Sequence, residues 1–234
     1  MLDSLHVSIG IKALGEQLRL NLRQPQPYRR DSFVVSACNA EAAARIDAWP
    51  RWTSGALALA GPAGAGKSHL AQTWAERAGA RVVRLDEIET DTQGPILIED
   101  VGAAPLGEAL FHLLNRTADP RQGLVLTGRA RPADWPTALP DLRSRLNALA
   151  VVELHQPDDG VLSGALWRLF AERLIRPAPD LIAYLVTRIE RSVPAAAAMV
   201  ERIEAAAATQ GRPINRALAR DLLARDDDPD ETDV

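Results

Sequence analysis

Ala56-Leu57-Ala58-Leu59-Ala60 runs without interruption into Gly61-Pro62-Ala63-Gly64-Ala65-Gly66-Lys67-Ser68, and Ser68 opens a helical pattern that reaches Arg77. The first five residues are uniformly small or apolar and bounded by a glycine turn, which reads as a short buried strand. The helical stretch has an apolar face through Leu70, Ala71 and Trp74, and Gly79 stands where such a helix would end. Strand, glycine loop and helix in this order form the context in which Gly-x-x-x-x-Gly-Lys-Ser holds a nucleoside phosphate. The glycines let successive backbone N–H groups turn inward around the phosphates, and the helix N-terminus adds partial positive charge. Lys67 can reach the β- and γ-phosphates, and Ser68 offers a hydroxyl to magnesium. Of the 27 basic residues only Lys12 and Lys67 are lysines. A chain that otherwise prefers arginine keeps a compact ammonium inside the loop, where a guanidinium fits poorly.

A magnesium-dependent phosphate site also needs a carboxylate at the end of a neighbouring buried strand. Pro95-Ile96-Leu97-Ile98-Glu99-Asp100 supplies it, three large apolar residues followed by two acids. One carboxylate would hold the ion, usually through water, and the other would polarise an attacking water. Such pairs usually put aspartate first; here Glu99 precedes Asp100, which leaves their division of labour open, and efficient hydrolysis is not expected. Leu124-Val125-Leu126-Thr127 is another apolar run with a polar end. Parallel strands end on one edge, so the Thr127 hydroxyl is expected between the phosphates and the acids. Residues 81–85 and 150–154 complete five candidate parallel strands interleaved with helices, an α/β fold. Pro140-Asp141-Leu142-Arg143-Ser144-Arg145-Leu146 reads as a helix whose two arginines point about 200° apart, so only one can face a given partner. Arg145 is the favoured arginine finger for a neighbouring molecule's phosphate site, and Arg143 the alternative.

After Pro157 the strand pattern stops. Helices are expected over about 158–173, 179–191, 194–209 and 215–225, punctuated by Pro177, Pro179, Pro194 and Gly211-Arg212-Pro213. Val161, Leu162, Ala165, Leu166, Leu169 and Phe170 share one face of the first, which implies a small helical bundle. The expected organisation is an N-terminal segment 1–24, a nucleotide-binding base domain 25–156, an all-α lid 157–225 and an acidic tail 226–234.

Composition narrows the class further. The 234 residues are 47% hydrophobic and 25% charged, as in a globular protein large enough to dispense with disulfide or metal staples. Cys38 is the single cysteine and the four histidines are scattered, so a zinc or redox site is not expected. The first residues lack a signal-peptide pattern, and no stretch approaches the roughly 20 apolar residues of a membrane span, so a cytoplasmic protein with no membrane partner is expected. The net charge of −4 is concentrated at the end: without the six acids of residues 226–233 the rest is near +2. That tail reads as a disordered, solubilising end.

Taken in order, the loop with its Ser68-His69-Leu70 continuation, the pair Glu99-Asp100, Thr127 in the first-sensor position and Leu142-Arg143-Ser144-Arg145-Leu146 resemble the AAA+ family, and within it the DnaA/Hda branch. Residues 31–39, Asp-Ser-Phe-Val-Val-Ser-Ala-Cys-Asn, are similar to the segment that packs beside the nucleotide base in that branch. The resemblance covers about residues 25–225. It implies a P-loop NTPase fold with ADP or ATP and Mg2+ as cofactors. The nucleotide would be held by Gly61, Pro62, Ala63, Gly64, Ala65, Gly66, Lys67, Ser68 and His69, and the ion by Ser68, Glu99 and Asp100. Glu99, Asp100, Thr127, Arg143 and Arg145 would take the catalytic and sensing roles.

Two features point towards the Hda side of the branch. The sequence ends soon after the last lid helix, with no stretch for the helix-turn-helix domain of a full initiator, so direct sequence-specific DNA binding is not expected. Gln17-Leu18-Arg19-Leu20-Asn21-Leu22 is similar to a clamp-binding hexapeptide, although Asn21 stands where proline is frequent. In an extended peptide Leu18, Leu20 and Leu22 share one side for an apolar groove while Gln17 bonds at its rim; the same alternation also suits an edge strand or a helix face. The implied partners are the DnaA initiator, the DNA polymerase III sliding clamp (β subunit) and, through the clamp, DNA, and a homodimer is open to such a chain. One departure bears on mechanism: Pro194 stands where the branch carries a second-sensor arginine, with Arg191 the nearest substitute. The resemblance therefore implies a regulator that promotes hydrolysis of DnaA-bound ATP with weak or no turnover of its own. An adaptor resembling a helicase loader, or a small-molecule kinase, are the rival readings.

Overall fold

The computed structural model describes residues 28–88, 93–117, 119 and 122–227, the last three without side chains. The expected clamp-binding residues Gln17, Leu18, Leu20 and Leu22 and the end of the acidic tail, 228–234, lie outside the described residues. The base domain comprises α1 (Ala40–Asp47), β1 (Ala56–Ala60), α2 (Lys67–Ala78), β2 (Arg81–Val82), β3 (Ile96–Ile98), α3 (Glu108–Arg116), β4 (Leu124–Gly128), α4 (Pro140–Ala148) and β5 (Ala150–Glu153). All pairings are parallel and the strand order is β2-β3-β4-β1-β5. Every residue of β1 and β4 is buried, which is why these strands read as continuous apolar runs: helices cover both faces. Successive residues point to opposite faces. Leu57 and Leu59 of β1 join Leu97, Val125 and Val152 under α1 and α2, against Ile46, Leu70 and Trp74. Ala56 and Ala58 join Ile98, Leu124 and Leu126 under α3 and α4, against Leu110, Leu142 and Trp135.

The five strands match their expected positions, with one shortened. β2 stops at Val82, and residues 85–87 coil into a 3-10 turn rather than continuing the expected strand to Leu85. At this sheet edge Val82 is half exposed, so little burial holds the chain extended. Gly79 closes α2 in the left-handed conformation (φ 62°), and the Ala80 N–H bonds back to the Ala75 carbonyl at 2.8 Å.

The lid comprises α5 (Asp159–Ala171), α6 (Pro179–Val186), α7 (Val193–Gln210) and α8 (Arg216–Asp227) around Leu162, Leu166, Phe170, Leu185, Val200 and Leu218. α6 ends five residues before the expected 191. Pro194 lacks an N–H and can stand only in the first turn of a helix, so the chain must break before it. It does so at Ser192, which adopts extended angles and accepts a bond from the Ala195 N–H at 3.2 Å as the cap of α7. Asp158 caps α5, accepting from the Val161 N–H at 2.9 Å, and also accepts from the Ser36 hydroxyl at 2.5 Å. The segment before α1 is thereby fastened to the first lid helix. Val34 of that segment lies where a β-carbon on Gly164 would come within 2.8 Å, so α5 packs closely on it.

Candidate nucleotide-binding site

The loop between β1 and α2, the segment before α1, one face of α5 and the start of α7 enclose a cavity of about 450 Å³, within the range of small-molecule sites. Residues 63–69 form its floor. Gly64 and Gly66 have φ of 73° and 95°, a left-handed backbone that turns amide groups inward and that other residues adopt at a cost. Phe33, Val34, Val161, Ala165, Leu169 and Ala197 supply apolar walls, a surface suited to a heterocyclic base. Lys67, Ser68, Asp100 and Arg129 supply the polar part.

Lys67 is 7% exposed, and its ammonium donates to the carbonyls of Gly61 and Pro62 at 2.8 and 2.7 Å. Gly61 and Pro62 therefore act through their carbonyls on Lys67 and do not themselves line the cavity, whereas Ala63, Gly64, Ala65, Gly66, Lys67, Ser68 and His69 do. Burial lowers the Lys67 pKa, Asp100 opposes that and Arg129 adds to it. A polyanion entering here would relieve the strain on the ammonium. His69 lies between the rings of Tyr28 and Phe33, each centroid 5.3 Å away. Burial is the main cause that pushes its pKa below the usual histidine value, so the imidazole is neutral at pH 7. Its Nε2 lies 2.9 Å from the Arg29 carbonyl, which assigns the proton to Nε2.

The acid pair divides. Asp100 lines the cavity with Ser68; Glu99 does not. One oxygen of Glu99 accepts from the Gln72 side chain of α2 at 2.7 Å, and the other is buried without a hydrogen-bond partner. Asp100 turns outward because its φ is 54°, and its N–H donates to the Thr127 hydroxyl at 3.1 Å. Thr127, 1% exposed, thus positions the loop that carries Asp100 and stays outside the cavity lining. The donors fit Mg2+: a hydroxyl and a carboxylate beside a phosphate loop. Among the described residues no three His, Cys, Asp or Glu side chains form a metal cage, as suits an ion held largely by phosphate and water.

The two arginines of α4 also divide. Arg143 donates to the carbonyls of Ala133 and Trp135, the latter at 2.5 Å, and is committed to the turn that precedes its helix. Arg145 is exposed and has no hydrogen bond or ion pair among the described residues. Neither lines the cavity. Pro194 does line it, and Arg191 does not replace the absent arginine: it pairs with Asp159 at 2.6 Å and donates to the Pro157 carbonyl. Two charged cavity residues were missing from the sequence reading, Arg129 and Arg168. Arg129 follows the end of β4, where the strand-edge rule that singled out Thr127 applies equally. Arg168 sits seven residues after Val161, two helical turns along the same face of α5.

A parallel sheet in this order, a glycine loop opening α2 and a helical lid over the cavity define a P-loop NTPase fold of the AAA+ type. No protein-family model matches the chain. It is 24% identical to the chromosomal replication initiator protein DnaA of Magnetococcus marinus over a 241-residue alignment, which covers 89% of this chain and 54% of that protein. Domain III of the Thermotoga maritima replication initiation protein DnaA superposes with a TM-score of 0.73 at 17% identity, over 86% of this chain and 97% of that one. AMPPCP-bound DnaA from Aquifex aeolicus gives 0.66 at 17% identity, over 78% and 66%. The chain is thus similar in sequence to DnaA proteins and shares the fold of their AAA+ domain. It spans about half the length of the curated relatives it matches, from 46% to 54%. Among the described residues no helix is long and apolar enough to cross a membrane.

Proposed function

We propose that the protein is an Hda-like regulator of chromosomal replication initiation, which binds ADP or ATP and promotes hydrolysis of DnaA-bound ATP. The observation that carries this reading is the contrast within α4 of a chain similar to DnaA proteins. Arg143 is tied to its own backbone, whereas Arg145 is exposed and uncommitted. An arginine so presented can enter a neighbour's ATP site and stabilise charge on the transferring phosphoryl group, an effect of about 10³–10⁵ in rate in related systems.

The chain's own cavity holds nucleotide in this reading as a structural ligand. The amides of residues 63–66 and the Lys67 ammonium bind the phosphates; Phe33 and the apolar lid residues flank the base; Ser68 and Asp100 hold the ion. A magnesium ion held by these residues would supply neutralisation of phosphate charge. With Glu99 turned to Gln72 and Pro194 uncharged, efficient turnover is not expected. Gln17, Leu18, Leu20 and Leu22 would tether the protein to the DNA polymerase III sliding clamp and so, indirectly, to DNA.

The test mixes purified protein, DNA-loaded clamp and ATP-bound DnaA and follows conversion to ADP. Arg145→Ala should stop the stimulation while clamp and nucleotide binding persist, and Leu20→Ala with Leu22→Ala should abolish clamp retention. Stimulation undiminished in Arg145→Ala would remove the finger assignment. Clamp binding with no effect of the unaltered protein on DnaA-bound ATP would make it an adaptor instead.

A further inference from the structure

The six acids of residues 226–233 take no part in the nucleotide site, and the lid carries a groove of opposite charge. The groove, of about 610 Å³, lies between the end of α6, the first turns of α7 and the later turns of α8. Its floor is apolar, with Ala198 and Met199 of α7 and Leu223 of α8. Arg188, Arg202 and Arg220 stand around that floor, all three exposed, and Glu190 is the one acid among the described lining residues. Arg216 adds a fourth cation: its guanidinium carbon lies 5.1 Å from the centroid of the Tyr184 ring, and that of Arg188 lies 4.1 Å from the same ring. Nearby carboxylates are shared out. Asp221 accepts from Arg212 at 2.8 Å and lies 3.5 Å from Arg220, and Glu204 pairs with Arg173 at 3.1 Å. Guanidinium groups gathered on so small a surface repel one another, and an anion between them relieves the repulsion.

An apolar floor under a cationic rim suits an acidic peptide, whose stems cover the floor while its carboxylates take paired N–H bonds from arginine. It does not suit single-stranded nucleic acid. Tyr184, the one aromatic residue lining the groove, is 8% exposed and its ring is already met by two guanidinium groups, so no free face is left for a base. The sequence supplies an acidic peptide at the groove's own edge. Leu223 and Ala224 line the groove, and the α8 backbone continues to Asp227, one turn further on. Arg220 lies about 10 Å back along the helix from that point, and the six residues 228–233 can span about 20 Å. A segment tethered so closely has an effective concentration of about 1 mM, so several individually weak exposed ion pairs suffice to seat it. The seat also has a structural consequence. Val193, Pro194 and Ala197 of α7 line the nucleotide cavity, whereas Ala195, Ala198 and Met199 line the groove, so an occupant braces α7 from the side away from the phosphate loop.

We propose that the arginine-rimmed groove of the lid is a docking site for an acidic peptide, and that its occupant is segment 226–233 of the same molecule. The test uses the full chain and a variant with a neutralised segment, Asp228→Asn, Asp230→Asn, Glu231→Gln and Asp233→Asn. A fluorescent peptide of residues 226–234 is the probe, followed by anisotropy at low salt. The neutralised variant should bind the peptide, and the unaltered protein should bind it about tenfold or more weakly, because its own segment competes. Adding Arg188→Gln and Arg220→Gln to the neutralised variant should weaken the peptide about tenfold, as should about 0.5 M salt. Melting curves accompany these variants because Arg188 touches Tyr184; where they fall, Arg220→Gln alone should still weaken the peptide about threefold. Equal affinity of the unaltered and neutralised proteins would overturn the assignment, since the groove would then be open to an acidic segment of another molecule. Binding that survives the groove substitutions, or no binding to the neutralised variant, would overturn it as well. So would a concentration-dependent dimer that neutralisation dissolves, which would seat the segment on a second copy.

Discussion

Gly64→Ala tests whether lid and phosphate loop are in contact, as the geometry requires. Gly64 has φ of 73°, so any other residue carries left-handed strain of about 1 kcal/mol. A β-carbon there would lie 2.5 Å from the Ser192 β-carbon and 3.3 Å from Cδ of Pro194. Carbon atoms pack at about 3.5–4.0 Å, so the start of α7 or the loop must shift by about 1 Å. Such overpacking costs about 1–3 kcal/mol, and the Ser192 cap and the bond from the Val193 N–H to the Gly64 carbonyl are the first features at risk. The expected loss is about 2–4 kcal/mol. Gly79→Ala is the control. Gly79 has φ of 62° and nothing within 4 Å of its would-be β-carbon, so it carries the strain alone, about 1 kcal/mol. For a chain of this length each kcal/mol is worth about 2–4 °C, so thermal denaturation should separate the two variants by several degrees. Urea titration should rank them in the same order. Equal losses would mean that α7 does not rest on the loop in solution, and the account of the cavity as closed by the lid would fail.

The arginines of α4 should separate in stability as they do in geometry. Arg143→Ala forfeits two charge-assisted bonds to carbonyls and should cost about 1–3 kcal/mol, whereas Arg145→Ala should stay within about 0.5 kcal/mol, both read by urea denaturation. His69 predicts a pH dependence. Its folded pKa lies below the reference 6.5, so the unfolded chain binds the proton more readily, and stability contributed by the neutral ring is lost as pH falls through about 6.5 and below. Denaturation midpoints at pH 7.5 and 5.5 should therefore differ more in the unaltered protein than in His69→Gln. An equal difference would assign the effect to other groups.

The elements legible in the sequence are those whose cause is local. β1, the glycine loop and α2 follow from an apolar run, three glycines and a C-terminal glycine, and the structure reproduces each. Pro194 was readable as a departure, but not as the residue that forces the break before α7 and so shortens α6. What could not be read was the direction of side chains set by distant residues. Asp100 faces the cavity because a buried threonine on β4 holds a left-handed turn, and Glu99 turns away towards a glutamine on α2. Arg143 and Arg145 are alike as sequence, and only the turn at residues 132–135 tells them apart. Arg129 was within reach of the strand-edge argument but carries no motif of its own.

The same turn gives the proposed assignments a physical connection. Segment 129–135 begins at the cavity with Arg129 and ends at Trp135, whose carbonyl is bound by Arg143, two residues from Arg145 on α4. A shift of Arg129 at the cavity would act on a segment already hydrogen-bonded to the arginine helix. The lid touches the loop differently, through Ser192, Val193 and Pro194, neutral groups packed on Gly64. Its cavity-facing arginine, Arg168, lies 3.5 Å from Glu172 and 3.4 Å from the Ser32 carbonyl, and its buried Nε has no hydrogen-bond partner. In this arrangement occupancy of the cavity would be felt both by the lid and by the helix that presents Arg145. The double variant Arg129→Ala/Arg143→Ala discriminates: if the segment couples the cavity to α4, its effects on the proposed stimulation of DnaA-bound ATP hydrolysis should be less than additive. Full additivity would mean that the two arginines act independently.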